Sequence, residues 1–139
     1  MPDDASGDCL ERRLIEQSPD AVIFADRAGT IQTWNACAQA MFGHAADEAI
    51  GRNLDLIIPP HLREAHWRGY RRAMESGRTR LGGKPILTRA VHKDGSKLYL
   101  EIAFAVIRGA GDEVLGALAT ARAAAKPEAT ASPRADPPT

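Results

Sequence analysis

The stretch "AVIFADRAGTIQTW", residues 21–34, decides the architecture. An apolar run from Ala21 to Ala25 is broken by Asp26, Arg27, Ala28 and Gly29, and a second run follows from Thr30 to Trp34. Short runs split by an Asp and Gly turn predict a β-hairpin rather than a helix. A two-stranded hairpin is marginal alone, so the rest of the chain must supply more strands or a helical cover for one of its faces.

It supplies both. Residues 35–62, "NACAQAMFGHAADEAIGRNLDLIIPPHL", hold short helical pieces punctuated by Gly43, Gly51 and Pro59-Pro60, with Asn35 placed to cap the first. Such pieces are too short to stand alone and must pack on a sheet. Pro60 can open the next helix at its first turn, and an apolar stripe runs from Leu62 to Met74 before Gly77 ends it. This is the longest predicted helix. Three strands follow over residues 81–92, 97–108 and 114–121, separated by the turns "KDGS" and "GAGDE".

Two strands, several helices and three hairpin-connected strands imply an α+β fold. The expected form is a five-stranded antiparallel sheet with short helices and one long helix packed on one face. Ahead of it, Cys9, Leu10, Leu14 and Ile15 share a helical face, which predicts an amphipathic helix over 9–17. Residues 1–8 read as a flexible N-terminus and 18–122 as the domain. Residues 123–139, rich in Ala and Pro, read as a disordered tail or linker.

Composition narrows the function. The 139 residues, 44% of them hydrophobic, suit one domain with a modest core. With 18 Lys+Arg against 18 Asp+Glu, no global field draws the chain to nucleic acid or an anionic membrane. No apolar run approaches the roughly 18 residues a membrane span needs, so neither nucleic acid nor membrane is an expected partner. Cys9 and Cys37 lack metal-ligand or redox spacing, and the start lacks a secretory signal, which points to a reducing cytoplasm. The absence of phosphate-loop, kinase, nucleophile-elbow and paired-carboxylate motifs implies that the domain is not itself an enzyme.

One histidine stands apart. In "HLREAHWRGYRRAMESG", residues 61–77, His66 shares a helical face with Leu62, Ala65, Gly69, Tyr70 and Ala73. An imidazole in an apolar stripe is either a core residue bonded to a carbonyl or a ligand awaiting a partner. His44, His61 and His92 lie in a loop, at a helix start and at a strand end, where solvent-facing roles are expected. Arg63, Arg68 and Arg71 read as a solvated helix face, and Met41, Tyr70 and Met74 have the spacing of core residues.

The opening "DAVIFADRAGTIQTWNACAQAMFGHAADEAIGRNLDLIIP" resembles that of a PAS domain: a strand, an Asp and Gly turn, a strand ending in Trp-Asn, and a helix ending in Phe-Gly. "VHKDGSKLYLEIAFAVI" resembles the family's late hairpin, and together they extend the resemblance over about residues 10 to 122. Gly29, Trp34, Asn35 and Gly95 hold the fold on this reading. The resemblance implies a sensor or interaction module.

Within the family, Pro60, Arg63 and His66 most resemble the haem-binding sensors of the oxygen-sensor kinase and direct oxygen sensor type. That resemblance implies haem b with His66 as its axial ligand, Arg72 and Arg80 beside the propionates, and Gly69 leaving room for the macrocycle next to Tyr70. Ile102 and Phe104 match the apolar distal wall. The chain departs from both sensors on that side: Ile86 stands where the kinases place an arginine, and Lys84 where the direct sensor supplies a methionine. The resemblance therefore implies a dry sixth site that favours carbon monoxide or nitric oxide over oxygen, unless Arg80 or Arg89 reaches into it.

The expected function is detection of a diatomic gas (CO, NO or O2) or of redox state, passed to a partner or effector. The alternative is a haem-free PAS module for signalling or dimerisation, binding another small ligand or none. The family's Asp-Ile-Thr triplet after the last strand is replaced here by "LATARAAAKPEAT". A homodimer through Leu10, Leu14 and Ile15 is expected.

Overall fold

The computed structural model describes residues 9–79 and 82–125. An N-terminal helix α1 (Leu10–Glu16) precedes the hairpin β1 (Ala21–Asp26) and β2 (Ile31–Trp34). Helices α2 (Ala36–Phe42) and α3 (Ala46–Ala49) follow, then two 3-10 turns (Leu54–Ile57 and Pro60–Leu62) and the long helix α4 (Arg63–Ser76). Strands β3 (Ile86–Val91), β4 (Lys97–Arg108) and β5 (Val114–Ala123) complete the order.

The five strands form one sheet in the order β2-β1-β5-β4-β3, antiparallel throughout. The last strand sits at the centre: β5 pairs with β1 from Ala21↔Ala121 to Asp26↔Gly116 and with β4 on its other side. The α+β reading of the sequence holds. Ala21, Ile23 and Ala25 of β1, Leu100 and Ile102 of β4 and Ala121 of β5 alternate onto one face. There they join Ala38 and Phe42 of α2, Leu54 and Ile57 of the first 3-10 turn, and Tyr70 and Met74 of α4 in a single core.

Asn35 does more than cap α2. Its side chain accepts from Ala38 N (3.0 Å) and Val22 N (2.9 Å) and donates to Ile15 O (2.8 Å) and Asp20 O (3.0 Å). One amide thus joins the end of α1, the start of β1 and the first turn of α2. The opening turn is set by Asp26, whose carboxylate accepts from Ala28 N and Thr30 N (3.0 Å each), and by Gly29 at φ +86°.

Helix α4 is fastened at both ends. Arg63 donates to Ile58 O (3.0 Å) and Asp55 O (3.2 Å), so its side chain, still 42% exposed, also anchors the start of the helix. Gly77 closes the helix in the left-handed conformation, and Arg108 of β4 donates to its carbonyl at 2.6 Å.

Several boundaries differ from the sequence expectation. β3 begins at Ile86 rather than residue 81, because Gly82 and Gly83 take positive φ and Pro85 has no amide to give a ladder. Pro60 opens a separate 3-10 turn, and α4 itself starts at Arg63. β5 runs through Ala123, one residue past the expected end of the domain, and Ala124 N still donates to Tyr99 O at 2.8 Å. α1 spans Leu10–Glu16 and buries none of its residues; Leu10 and Leu14 are 66% and 63% exposed, so its apolar face is no part of this core. The N-terminus expected at 1–8 and the tail from 126 onward lie outside the described residues.

Candidate functional site

His66 sits in the second turn of α4, half-buried, with its ring against Trp67 and Tyr70. The centroid of His66 is 4.6 Å from that of Trp67 in an edge-on arrangement (77°) and 5.7 Å from that of Tyr70. Its Nδ1 is buried without a hydrogen-bond partner. A buried polar atom left unpaired costs about 1–3 kcal/mol, so native proteins seldom leave one without a reason. The bland reading of His66, a core histidine bonded to a backbone carbonyl, is therefore not what this side chain does through Nδ1.

Burial depresses the pKa of His66 to about 4, against a smaller opposing pull from the Asp55 carboxylate. The imidazole is neutral at physiological pH, which is the form that ligates a metal. A stability consequence follows with a definite sign. The unfolded histidine takes a proton near its ordinary 6.5 and the folded one only near 4, so between these values the unfolded state holds more protons. Stability from this group is complete above pH 6.5 and falls as the pH drops toward 4, by on the order of 3 kcal/mol. Urea melts of the ligand-free protein at about pH 7 and pH 4.5 should show the loss, and a His66→Leu variant should show less of it.

The neighbours of His66 are held from other elements. The Tyr70 hydroxyl donates toward the Asp26 carbonyl (2.6 Å), with Ala25 O at 3.1 Å sharing the proton, which ties α4 to the end of β1. Burial, with the nearby Asp26 charge, raises the phenol to about 12. The Trp67 indole donates to Asp55 Oδ1 at 2.8 Å, and a Cβ built on Gly29 would collide with its six-membered ring. Trp67 and Asp55 were not singled out from sequence. The signal was present, since residues 67, 70 and 74 are spaced as one buried stripe and a half-buried indole N–H requires an acceptor.

Several predicted positions come together. Ile86 and Ile102 are direct partners in the β3–β4 ladder, and Phe104 lies two residues further along β4. All three pack in or against the core that also takes Trp67, Tyr70, Ala73 and Met74 from α4. Gly69 is half-buried on α4. Arg72 is exposed on the same helix, and Arg80 lies outside the described residues. Lys84 is exposed in the segment before β3. Arg89 does not turn inward: its guanidinium lies 3.4 Å from His61 Nε2 at the exposed start of the helix.

Two histidines differ from expectation. His44 is half-buried, stacked edge-on to Trp34 at 6.3 Å, and its carbonyl accepts from the Trp34 indole at 2.9 Å. His92 is half-buried beside Gly43, and its Nδ1 accepts from Asp94 N at 3.1 Å. Strand-end and loop positions are covered here because the late hairpin folds back onto α2, where Lys93 N donates to Phe42 O.

A family model for the PAS fold matches residues 10–124. The chain belongs to the PAS family. This PAS domain is 32% identical over 111 residues to an uncharacterized protein of Azorhizobium caulinodans. It is 28% identical over 108 residues to the oxygen sensor protein DosP of Escherichia coli, covering 78% of this chain. Identity to the sensor protein FixL of Bradyrhizobium diazoefficiens is 25%, over 73% of this chain. The matched stretches span only 15%, 14% and 20% of those longer proteins.

Among solved structures, the PAS domain of a Colwellia psychrerythraea protein superimposes with a TM-score of 0.71 at 24% identity, over 82% of this chain and 93% of that one. A light-oxygen-voltage domain studied with a flavin analogue gives 0.67 at 17% identity, over 87% and 89%. These likenesses establish the fold. Among the described residues no helix is long and apolar enough to cross a membrane, and no three His, Cys, Asp or Glu side chains converge to hold a bare metal ion.

Proposed function

We propose that this PAS sensor domain binds haem b through His66, detects a diatomic gas or a change of redox state there, and passes that state to a partner or effector without itself catalysing a reaction. The observation that carries the reading is a neutral imidazole on α4 whose buried Nδ1 makes no hydrogen bond, so the ring is not committed to a backbone carbonyl through that nitrogen. The donor suits the group: iron held in a macrocycle needs one neutral protein nitrogen on a rigid element, and His66 offers one on α4. When bound, haem supplies the iron at which the gas is held.

The chain supplies the rest. His66 offers the nitrogen, Ile86, Ile102 and Phe104 exclude water, and Arg72 offers a charge-assisted donor to an anionic propionate. Ile86, Ile102 and Phe104 are all apolar, and Ile86 and Ile102 pair on adjacent strands, which supports a preference for carbon monoxide or nitric oxide over oxygen. The resemblance to an oxygen sensor protein and a sensor protein supports a sensing role.

Titration of purified protein with hemin tests this. A one-to-one Soret band is the expected result, and failure to take up hemin would sink the reading. Colourless protein that still self-associates would instead be a haem-free dimerisation module. That association is proposed through the exposed Leu10, Leu14 and Ile15 of α1 in a homodimer. Leu14→Asp should shift the sedimentation mass to that of a monomer; an unchanged mass removes α1 from the interface.

A further inference from the structure

His66 is oriented without a hydrogen bond to Nδ1, so something else must hold its ring. A histidine ligand ordinarily donates its second ring nitrogen to a carbonyl or carboxylate that fixes its orientation. Here the neighbour that meets the imidazole is Trp67, the next residue in the chain, and Trp67 is itself held at both ends. Its pyrrole N–H donates to Asp55 at 2.8 Å, and the far edge of its six-membered ring lies against Gly29 of the β1–β2 turn, where any side chain would collide. Asp55 is fixed in turn: its amide donates to Asn53 Oδ1 at 2.8 Å, and Arg63 holds its carbonyl. Tyr70, 5.3 Å from Trp67 and edge-on to it, closes the aromatic group from the following turn.

We propose that Trp67 is the positioning residue for His66: its indole, clamped between Gly29 and Asp55, sets the orientation of the imidazole that a hydrogen bond would otherwise set. The inference rests on the ligand reading of His66 for its functional meaning, but not for its test. Aromatic edge contacts are directional, because the positive ring edge of one partner meets the negative face of the other. They select a ring plane as well as a position. Residues that orient a ligand are typically worth 10–100-fold in affinity for the metal it holds.

The experiment has one arm that needs no haem. Three-bond couplings in the ligand-free protein should report a single χ1 rotamer for His66 in the wild type, an average in Trp67→Leu, and a single rotamer again in Trp67→Phe, which keeps a ring edge. The second arm follows transfer of hemin from loaded protein to a haem-scavenging apoprotein. Trp67→Leu should release hemin about tenfold faster, with most of the loss restored in Trp67→Phe. Should Trp67→Leu not fold, Asp55→Ala removes one side of the clamp while leaving Trp67 in place, and the same rotamer averaging is expected. A single His66 rotamer that persists in every folded variant overturns the proposal, whatever hemin does. If wild-type protein takes up no hemin but the rotamer responds as described, the haem reading fails and the positioning role stands.

Discussion

Replacing His66 with alanine is expected to weaken hemin binding by more than about 100-fold and to remove the Soret band from protein purified at micromolar concentration. The magnitude follows from what is deleted. Losing a residue that only orients a ligand costs about 10–100-fold, and deletion of the ligand itself must exceed that. The other histidines lie elsewhere: His61 at the helix start, His44 against Trp34 and His92 at the late turn. Added imidazole should restore the band in His66→Gly, because the free base can occupy the vacated space. A Soret band of undiminished intensity in His66→Ala would show that another side chain holds the iron.

Asn35→Ala should be the most damaging single change to the fold. The side chain is 1% exposed and makes four hydrogen bonds, two as acceptor from Val22 N and Ala38 N and two as donor to Ile15 O and Asp20 O. Its loss leaves two amides and two carbonyls to find partners, and each buried group left unsatisfied costs about 1–3 kcal/mol. A total of about 3–5 kcal/mol is expected, against about 5–15 kcal/mol for the whole stability of such a domain. Asn35→Asp keeps the oxygen that accepts from Val22 N and Ala38 N but sets a carboxylate oxygen against the Ile15 and Asp20 carbonyls, so it should not restore wild-type stability. Chemical denaturation of the ligand-free variants separates these outcomes, and equal midpoints for Asn35→Ala and wild type would contradict the argument.

The two faces of this molecule were unequally legible. Hairpin boundaries at 21–34 and 97–108 could be read closely because period-2 alternation and turn chemistry at Asp26–Gly29 and Lys93–Ser96 are local signals. The start of β3 was not, since an apolar Ile and Leu after a Gly-Gly-Lys-Pro stretch do not by themselves mark which residue joins the ladder. At the site, the apolar stripe marked His66, and Ile86 and Ile102 proved to be ladder partners. What the sequence could not convey was contact between distant segments. Gly29 lies 38 residues from Trp67 and Asp55 lies 12 away, so their meeting depends on how the β1–β2 turn and the 3-10 turn dock on α4. Arg63 shows the same limit: its spacing along the helix gave it a solvated face, and only the fold reveals the carbonyls it caps.

Arg63 and Arg108 together make α4 a beam clamped at both supports, one at the 3-10 segment and the other at β4. A free helix end would absorb a small push on its middle by fraying. This one cannot, and His66 lies nearer the Arg63 support, with Tyr70 bolted to the end of β1 one turn further along. Helix α4 is thus tied to the 3-10 segment through Arg63, to β1 through Tyr70 and to β4 through Arg108, and β1 and β4 flank β5 on either side. The central strand β5 therefore has, on each side, a neighbour that is bonded to the helix carrying His66.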